Sequence, residues 1–360
     1  MDTLKIQPHA QVSVAIVTYN SERYIRRCLD AVLQQTGMVL DVVVVDNAST
    51  DATRAILRRY RGRIRTIHND HNAGFAAGQN QAIRASRADW VLTLNPDVLL
   101  LADFIRTLVE AGEADGSAGS VCGKLLSIGP GFQPLAERRI DSAGIFFTPA
   151  MRHFDRGWHE PDSAIYDTME YVFGASAAAA LYRREMIEDV AVDGNFFDPG
   201  FFCYREDADV AWRALLQGWR CLYQPAAESY HVRSVTPGSR RAVPAAINMH
   251  SVKNRFLMRI KNSTAGLYRR FWLPTTLRDL LVIGGVALGE PGSLAAFWHL
   301  AKCVPRALRE RREIMSRRRV DDRAMAEWFS FQPVAQAVGE ITPATRWADA
   351  EPRYVAERTA

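Results

Sequence analysis

Trp90-Val91-Leu92-Thr93-Leu94-Asn95-Pro96-Asp97 is an apolar run that closes on a turn. The run reads as a buried strand. The Asn-Pro-Asp that ends it puts one carboxylate, Asp97, on the carboxyl edge of a sheet, where open α/β sheets bind ligands. Upstream the chain alternates. Residues 12–18 are apolar and β-branched and lead to Tyr19-Asn20-Ser21, with Ser21 capping a helix that runs to about Gln35. Val42-Val43-Val44-Val45 is apolar on both faces, as a parallel strand covered by helices must be. It stops at Asp46-Asn47-Ala48-Ser49-Thr50-Asp51, short polar residues suited to a turn and a cap before a helix over 52–60. A third strand at 64–67 and a helix from the Asn72-Ala73-Gly74-Phe75 turn through Ala85 complete β-α-β-α-β-α-β. That pattern predicts a parallel, doubly wound α/β sheet with its loops gathered on one edge.

After a helix over 103–114, Gly, Ser and Ala at 111–120 change the rhythm. Short strands are expected at 121–126, 140–147 and 171–173, with a loop at 129–137. The small residues of 174–182 allow another backbone or a ligand to come close. Residues 194–200 form an aromatic turn, and a helix over 206–217 ends at Gly218. A strand at 220–223 and a loop at 224–229 precede His231. From 245 onward the chain reads as helical and basic, with Lys253, Arg255, Arg259 and Lys261 in one group and seven arginines between Arg306 and Arg319 in another. The apolar stretch 271–288 is interrupted by Pro274, Arg278 and Asp279, so it reads as an interfacial segment rather than a spanning helix. Cations flanking it favour an anionic membrane surface as partner; a solvated helical appendage is the plainer alternative. The expected division is 1–115, 116–245, a basic amphipathic region at 246–319, and a partly disordered tail at 320–360.

A chain of 360 residues with 48% hydrophobic content can bury a large core. Its net charge of +5 is confined to the C-terminal region while acidic residues spread through the first half, which excludes a nucleic-acid-coating protein. The five cysteines are scattered and form no pair at zinc spacing, so they read as reduced, buried thiols of a cytosolic protein. The polar N-terminus carries no apolar signal region, and there is no internal repeat.

Several residues stand where chemistry is possible. Tyr19 at a strand-to-helix turn can stack on a flat ring, and Asp46 on the adjacent strand can accept hydrogen bonds from a base or ribose. Singly, such residues are more often packing and a helix cap. One carboxylate at Asp97 suffices for a divalent cation that completes its shell with phosphate oxygens and water, though a plain Asn-Pro-Asp turn is equally common. No GxGxxG or GxxxxGK[ST] spacing occurs at 72–80, which disfavours a dehydrogenase or a P-loop enzyme. Glu206-Asp207-Ala208-Asp209, after the aromatic run 196–204, opens a helix whose dipole holds a carboxylate ionised. Asp207 is the candidate base. Asp209 is spaced to pair with Arg213 four residues on, and Glu206 caps the helix or orients Asp207. His231 alone is most simply structural, yet a neutral imidazole there could complete a metal's shell.

Taken together, Val17-Thr18-Tyr19-Asn20, Val44-Val45-Asp46-Asn47-Ala48-Ser49-Thr50-Asp51, Asn72-Ala73-Gly74-Phe75-Ala76, Leu94-Asn95-Pro96-Asp97, Phe196-Phe197-Asp198 and Glu206-Asp207-Ala208-Asp209 resemble, in that order, the family 2 inverting glycosyltransferases. The similarity spans about 12–260 and is greatest to the rhamnosyltransferase-like branch. It implies a glycosyltransferase A-type fold and a dTDP- or UDP-sugar donor bound by Thr18, Tyr19, Asn20, Asp46, Asn72, Gly74 and Asn95. It further implies Mg2+ or Mn2+ on Asp97, with His231 near it. Asp207 would deprotonate the acceptor, and Trp158, Gly174, Ala175 and Glu206 would line the acceptor side. The resemblance and the basic C-terminal region together predict a peripheral enzyme at the inner face of the cytoplasmic membrane that moves rhamnose to a polyprenyl-linked or growing glycan. UDP-galactofuranose and UDP-N-acetylhexosamine remain alternative donors, and a non-catalytic nucleotide-sugar scaffold is the alternative outside enzymes. Two departures stand out: Asn95 replaces the first acid of the commoner Asp-x-Asp, and Gln79 stands where many relatives carry Arg. A sugar-1-phosphate nucleotidyltransferase would need a Gly-rich basic loop in place of Tyr19-Asn20-Ser21-Glu22. A processive synthase would need Gln-x-x-Arg-Trp where this chain has Gln217-Gly218-Trp219-Arg220.

Overall fold

A computed structural model describes residues 10–233 and 245–338. Of the tail expected to be partly disordered, 339–360 lie outside the described residues, while 320–338 lie within them and carry a short helix and a strand. The first half builds as its hydrophobic pattern dictates: β1 (Val12–Thr18), α1 (Ile25–Leu33), β2 (Leu40–Asp46), α2 (Thr53–Arg58), β3 (Arg65–His68), α3 (Phe75–Ala85) and β4 (Trp90–Leu94). All seven residues of β1 and all five of β4 are buried, because helices cover both faces of these strands. β4, β1, β2 and β3 run parallel in that spatial order, so their carboxyl ends share one edge.

Beyond β4 the sheet becomes mixed. The chain continues through β5 (Val98–Leu100), α4 (Phe104–Ala114), β6 (Ala118–Ser127), β7 (Ile140–Ser142), β8 (Ile145–Phe147), β9 (His153–Asp155), β10 (Glu170–Val172), β11 (Ala179–Arg183), α5 (Arg184–Val190), α6 (Glu206–Leu216) and β12 (Arg220–His231). β11 lies between β4 and β6 and is antiparallel to both, making one mixed eleven-stranded sheet among the described residues. β11 was hidden in the sequence because alanines begin it, and their burial leaves no β-branched signature. The single strand expected at 140–147 is two. Gly144 breaks it at φ +99°, where a Cβ would stand 2.7 Å from Val172.

The loop expected at 224–229 is also strand. β12 continues to His231, pairing with β6 in parallel and shifting register between Gln224 and Glu228, a bulge that accommodates Pro225. Its far end pairs antiparallel with β5, His231 opposite Val98. This second half of the strand carries the functional edge.

Three helices, α7 (Ala245–Asn262), α8 (Ala265–Gly289) and α9 (Ala295–Ser316), followed by α10 (Asp322–Ala326) and β13 (Gln336–Ala337), close the chain. Buried charges fasten them to the body. Lys261 Nζ lies 2.7 Å from Asp198, 3.4 Å from Asp209 and 3.3 Å from Glu310, and Arg306 reaches Asp198 at 2.7 Å. Asp209 also pairs with Arg213 at 3.0 Å, as its spacing requires. Asp198, part of the Phe-Phe-Asp motif, is therefore an anchor for the C-terminal helices.

α8 is 25 residues long and, by length and composition, apolar enough to cross a membrane. The sequence reading of a broken segment missed this because Pro274 is accommodated by a kink at Phe271 (φ −116°, ψ 20°). One face of α8 lies on the body: Thr275 donates to the Pro149 carbonyl and Asp279 pairs with Arg259 at 2.7 Å. On the other face Leu273, Leu277, Leu280 and Leu288 are exposed. Cys28, Cys122 and Cys221 are buried free thiols, while Cys203 and Cys303 are only half-buried.

Removing Lys261 leaves three carboxylates facing one another inside the protein. Lys261→Ala is expected to cost about 3–5 kcal/mol, measured as a fall in Tm, whereas the surface change Lys302→Ala should stay within about 0.5 kcal/mol. Equal Tm values for the two variants would contradict the anchoring role.

Candidate active site

Asp97 follows β4 by three residues, and β5 follows Asp97 directly. Because β5 pairs with the end of β12, the Val232 amide donates to the Asp97 carbonyl at 3.1 Å and His231 is carried to the same edge. His231 Nε2 lies 3.4 Å from Asp97 Oδ1, and its Nδ1 lies 2.8 Å from Asp141 on β7. Arg233 donates to Asp141 at 2.7 Å and to Asp155 of β9 at 2.7 Å. Burial disfavours a charged ring at His231, but Asp141 and Asp97 outweigh it and raise the imidazole to about 10. Burial also works against the Asp141 carboxylate, and His231 and Arg233 more than offset it, holding that group below the usual range.

The facing wall is the start of α6. Three residues ahead of it take left-handed backbone angles without being glycine: Phe202 (φ 65°), Tyr204 (φ 68°) and Arg205 (φ 74°). Each costs about 1–3 kcal/mol. The fully buried Asn254 of α7 holds them, its Nδ2 donating to the carbonyls of Phe201, Cys203 and Tyr204 at 2.8–2.9 Å. The strained loop delivers Asp207 to the pocket, where its carboxylate accepts from the Ala208 amide at 2.7 Å and the Ala177 amide at 3.4 Å. Burial, and then the nearby negative charge of Asp155, raise Asp207 to about 6, against the pull of the two amides and Arg233. Glu206 beside it is also raised, first by burial and then by Asp207, and its Oε2 has no hydrogen-bond partner.

Asp97, His231, Asp207, Glu206 and Asn95 all line a single pocket of about 490 Å3, together with Phe75, His153, Asp155, Arg205 and Arg233. The other predicted donor residues lie along the sheet edge outside this pocket. Thr18 is buried, Tyr19 is half exposed and Asn20 accepts from the Thr50 amide at 2.8 Å. Asp46 requires correction: its side chain is wholly buried and accepts from Ser49 at 3.3 Å and Arg54 at 2.5 Å. At this edge the side chains of Tyr19 and of Arg54, beside Asp46, are partly exposed. Asn72 accepts from the Gly74 amide, and Gly74 (φ +86°) lies so close to Phe202 that a Cβ would stand 2.5 Å from its ring. The donor-side turn thus bears directly on the loop that carries Asp207.

Three predicted acceptor residues, Gly174, Ala175 and Trp158, do not line the pocket. Gly174 packs on α6, where a Cβ would meet Ala211 at 2.2 Å, and Ala175 is buried in the core. The Trp158 ring lies 5.9 Å from the guanidinium of Arg233, which does line the pocket. Gln79 faces inward and donates to the Ala15 carbonyl. The sequence reading missed Asp141, Asp155, Arg233 and Asn254. An acid inside an apolar strand, Asp141, was the one available signal.

Among the described residues no group of three His, Cys, Asp or Glu side chains is placed to hold an ion alone. Asp97 and, once a cation displaces its Nε2 proton, His231 supply two donors, with Asp141 behind the imidazole in the manner of a ligand's supporting carboxylate. This fits a cation that takes its remaining ligands from substrate phosphates and water.

Residues 13–190 match the model of Glycosyl transferase family 2. The succinoglycan biosynthesis protein ExoO of Rhizobium meliloti is 35% identical over 107 residues, which cover 29% of this chain and 31% of that protein. The chain thus spans under a third of the length of that relative. The N-acetylglucosaminyl-diphospho-decaprenol L-rhamnosyltransferase of Mycobacterium tuberculosis is 27% identical over 248 residues, 62% of this chain and 77% of that one. The crystal structure of GalNAc-T7 with UDP, GalNAc and Mn2+ superposes with a TM-score of 0.56 at 13% identity, covering 71% of this chain and 48% of that chain. The last likeness concerns fold alone, and the fold is of the glycosyltransferase A type.

The raised Asp207 carboxyl is directly measurable. Carbon-detected NMR titration is expected to give a midpoint near 6 for Asp207, and Asp155→Asn should move it downward by removing a neighbouring negative charge. A midpoint near 4 in both proteins would contradict the geometry described.

Proposed function

Because the chain carries a Glycosyl transferase family 2 domain over residues 13–190, we propose that it moves one sugar from a nucleoside diphosphate donor to an acceptor hydroxyl with inversion at the anomeric carbon. The observation that carries this reading is that Asp97 and Asp207, 110 positions apart in the chain, line one pocket. Asp207 takes the proton of the acceptor hydroxyl as its oxygen bonds to the anomeric carbon. The bond from that carbon to the diphosphate oxygen breaks on the opposite face, and the electron pair leaves with the diphosphate. Asp97 and His231 would hold Mg2+ or Mn2+, which when bound neutralises charge on the leaving diphosphate. Arg233 and Asp141 fix His231 in place, and Tyr19 offers a stacking face to the donor's base.

The donor half is assigned to 1–115 and the acceptor half to 116–245, one sheet running through both. The name of the mycobacterial relative supports rhamnose as the sugar and a polyprenyl diphosphate sugar as the acceptor, with dTDP-rhamnose the donor to test first. UDP-galactofuranose and UDP-N-acetylhexosamine are the alternatives. The exposed apolar face of α8 supports peripheral attachment to the inner face of the cytoplasmic membrane, and both bacterial relatives support a place in cell-surface polysaccharide assembly.

The test is incubation of the purified chain with each nucleotide sugar, a short polyprenyl-diphosphate-sugar and Mg2+ or Mn2+, following product and nucleoside diphosphate release. One donor should be turned over, chelation should abolish the reaction, and Asp207→Asn should lower kcat by about 10²–10⁴-fold. Asp207 works ionised, so the rate should persist above pH 6 and fall as pH drops through its raised pKa of about 6. Nucleoside diphosphate binding without turnover of any donor would favour a scaffold instead, and an Asp207→Asn variant as fast as wild type would remove the proposed base.

A further inference from the structure

A second cavity, of about 210 Å3, opens behind the first and shares Ser251 with it. Its walls come from α7 through Val252 and Arg255 and from α8 through Arg278, Leu281 and Val282; Glu290 also lines it. Arg255 is 7% exposed, and its Nε has no hydrogen-bond partner. The Nε of Arg278 is equally without one. Among the described residues neither guanidinium makes an ion pair. Neighbouring arginines are otherwise engaged: Arg259 pairs with Asp279 at 2.7 Å, and Arg205 donates to the Ser251 carbonyl at 3.1 Å. Burial, and then Arg205, Arg278 and Arg152, lower Arg255 to about 8. A buried guanidinium set among like charges is costly to the fold, and an anion would offset that cost.

We propose that this cavity is the diphosphate subsite for a lipid-linked acceptor. Arg255 and Arg278 take the diphosphate oxygens, the attached sugar reaches past Ser251 to Asp207, and the hydrocarbon chain lies along the exposed face of α8. The assignment rests on the reading of a glycosyl transfer to a lipid-linked sugar. Asn248, Ser251 and Arg255 fall on one face of α7, at spacings of three and four. With a 1.5 Å rise per residue, Arg255 stands about 10 Å along the helix from Asn248, which lines the transfer pocket. A single sugar unit with its diphosphate bridges such a span. Guanidinium groups suit the task because their planar forks match phosphate oxygens in pairs. Leu281 both lines the cavity and is 68% exposed, so the anion site opens directly onto the apolar surface that Leu277 and Leu280 continue.

Binding of geranyl diphosphate to the full chain, measured by calorimetry in saturating UDP and dTDP, tests this without requiring turnover. Wild-type protein should bind it at least about tenfold more tightly than inorganic pyrophosphate or geraniol. Arg278→Gln should weaken it about tenfold or more while leaving UDP and dTDP affinity and Tm unchanged. Arg255→Lys, which keeps charge and loses the fork, should weaken it less and guards against a variant that fails to fold. Displacement of geranyl diphosphate by the nucleotides, equal binding by inorganic pyrophosphate, or an indifferent Arg278→Gln would each overturn the proposal. A chain that binds geranyl diphosphate through Arg278 yet transfers no sugar would instead sink the transferase reading alone.

Discussion

The short pairing of β5 with the end of β12 is the constraint on which the pocket depends. Three residues after Asn95-Pro96-Asp97 hold the last three of a strand that arrives more than a hundred positions later. That pairing fixes His231 beside Asp97, and through Asp141 and Arg233 it ties the parallel half of the sheet to its antiparallel half. Without it Asp97 would be only a turn residue.

The opposing wall is built on a different principle. There the chain accepts three left-handed residues, one before and two after Cys203, and restrains them with one amide, Asn254, from a helix that the buried Lys261 cluster locks to the body. The C-terminal helices therefore do two jobs: they hold the loop that presents Asp207, and they carry the apolar, arginine-lined surface behind the pocket. Strain on one wall and pairing on the other converge on a gap between two carboxylates of unlike environment. Asp97 faces the buried imidazole of His231, whereas Asp207 faces the negative charge of Asp155. Such a division suits one group to a cation and phosphate, and the other to a proton.

Much of this was legible in the chain because local pattern and tertiary role coincide there. β1, β2 and β4 are apolar runs ending in polar turns, so Tyr19, Asp46 and Asp97 could be placed at one edge from the sequence. Asp207 was legible for a similar reason, as one of three acids opening a helix. What could not be read are partnerships across long separations. Nothing local tells that Arg54 occupies Asp46, that Asp198 belongs to Lys261 and Arg306, or that Asp141 supports His231 from 90 positions away. Pro225 concealed the continuation of β12, since a proline is tolerated in a strand only where the ladder bulges. Alanines concealed β11, and Gly174 and Ala175 pack closely on α6 and in the core.

The central claim is that the two carboxylates divide the work, Asp97 serving the departing diphosphate and Asp207 the incoming hydroxyl. Calorimetric binding of the donor's nucleoside diphosphate with Mn2+ to Asp97→Asn and Asp207→Asn tests that division without any turnover. The account predicts that Asp97→Asn loses the metal-dependent part of the affinity while Asp207→Asn binds as wild type does. Loss in Asp207→Asn with full metal-dependent binding retained in Asp97→Asn would contradict it.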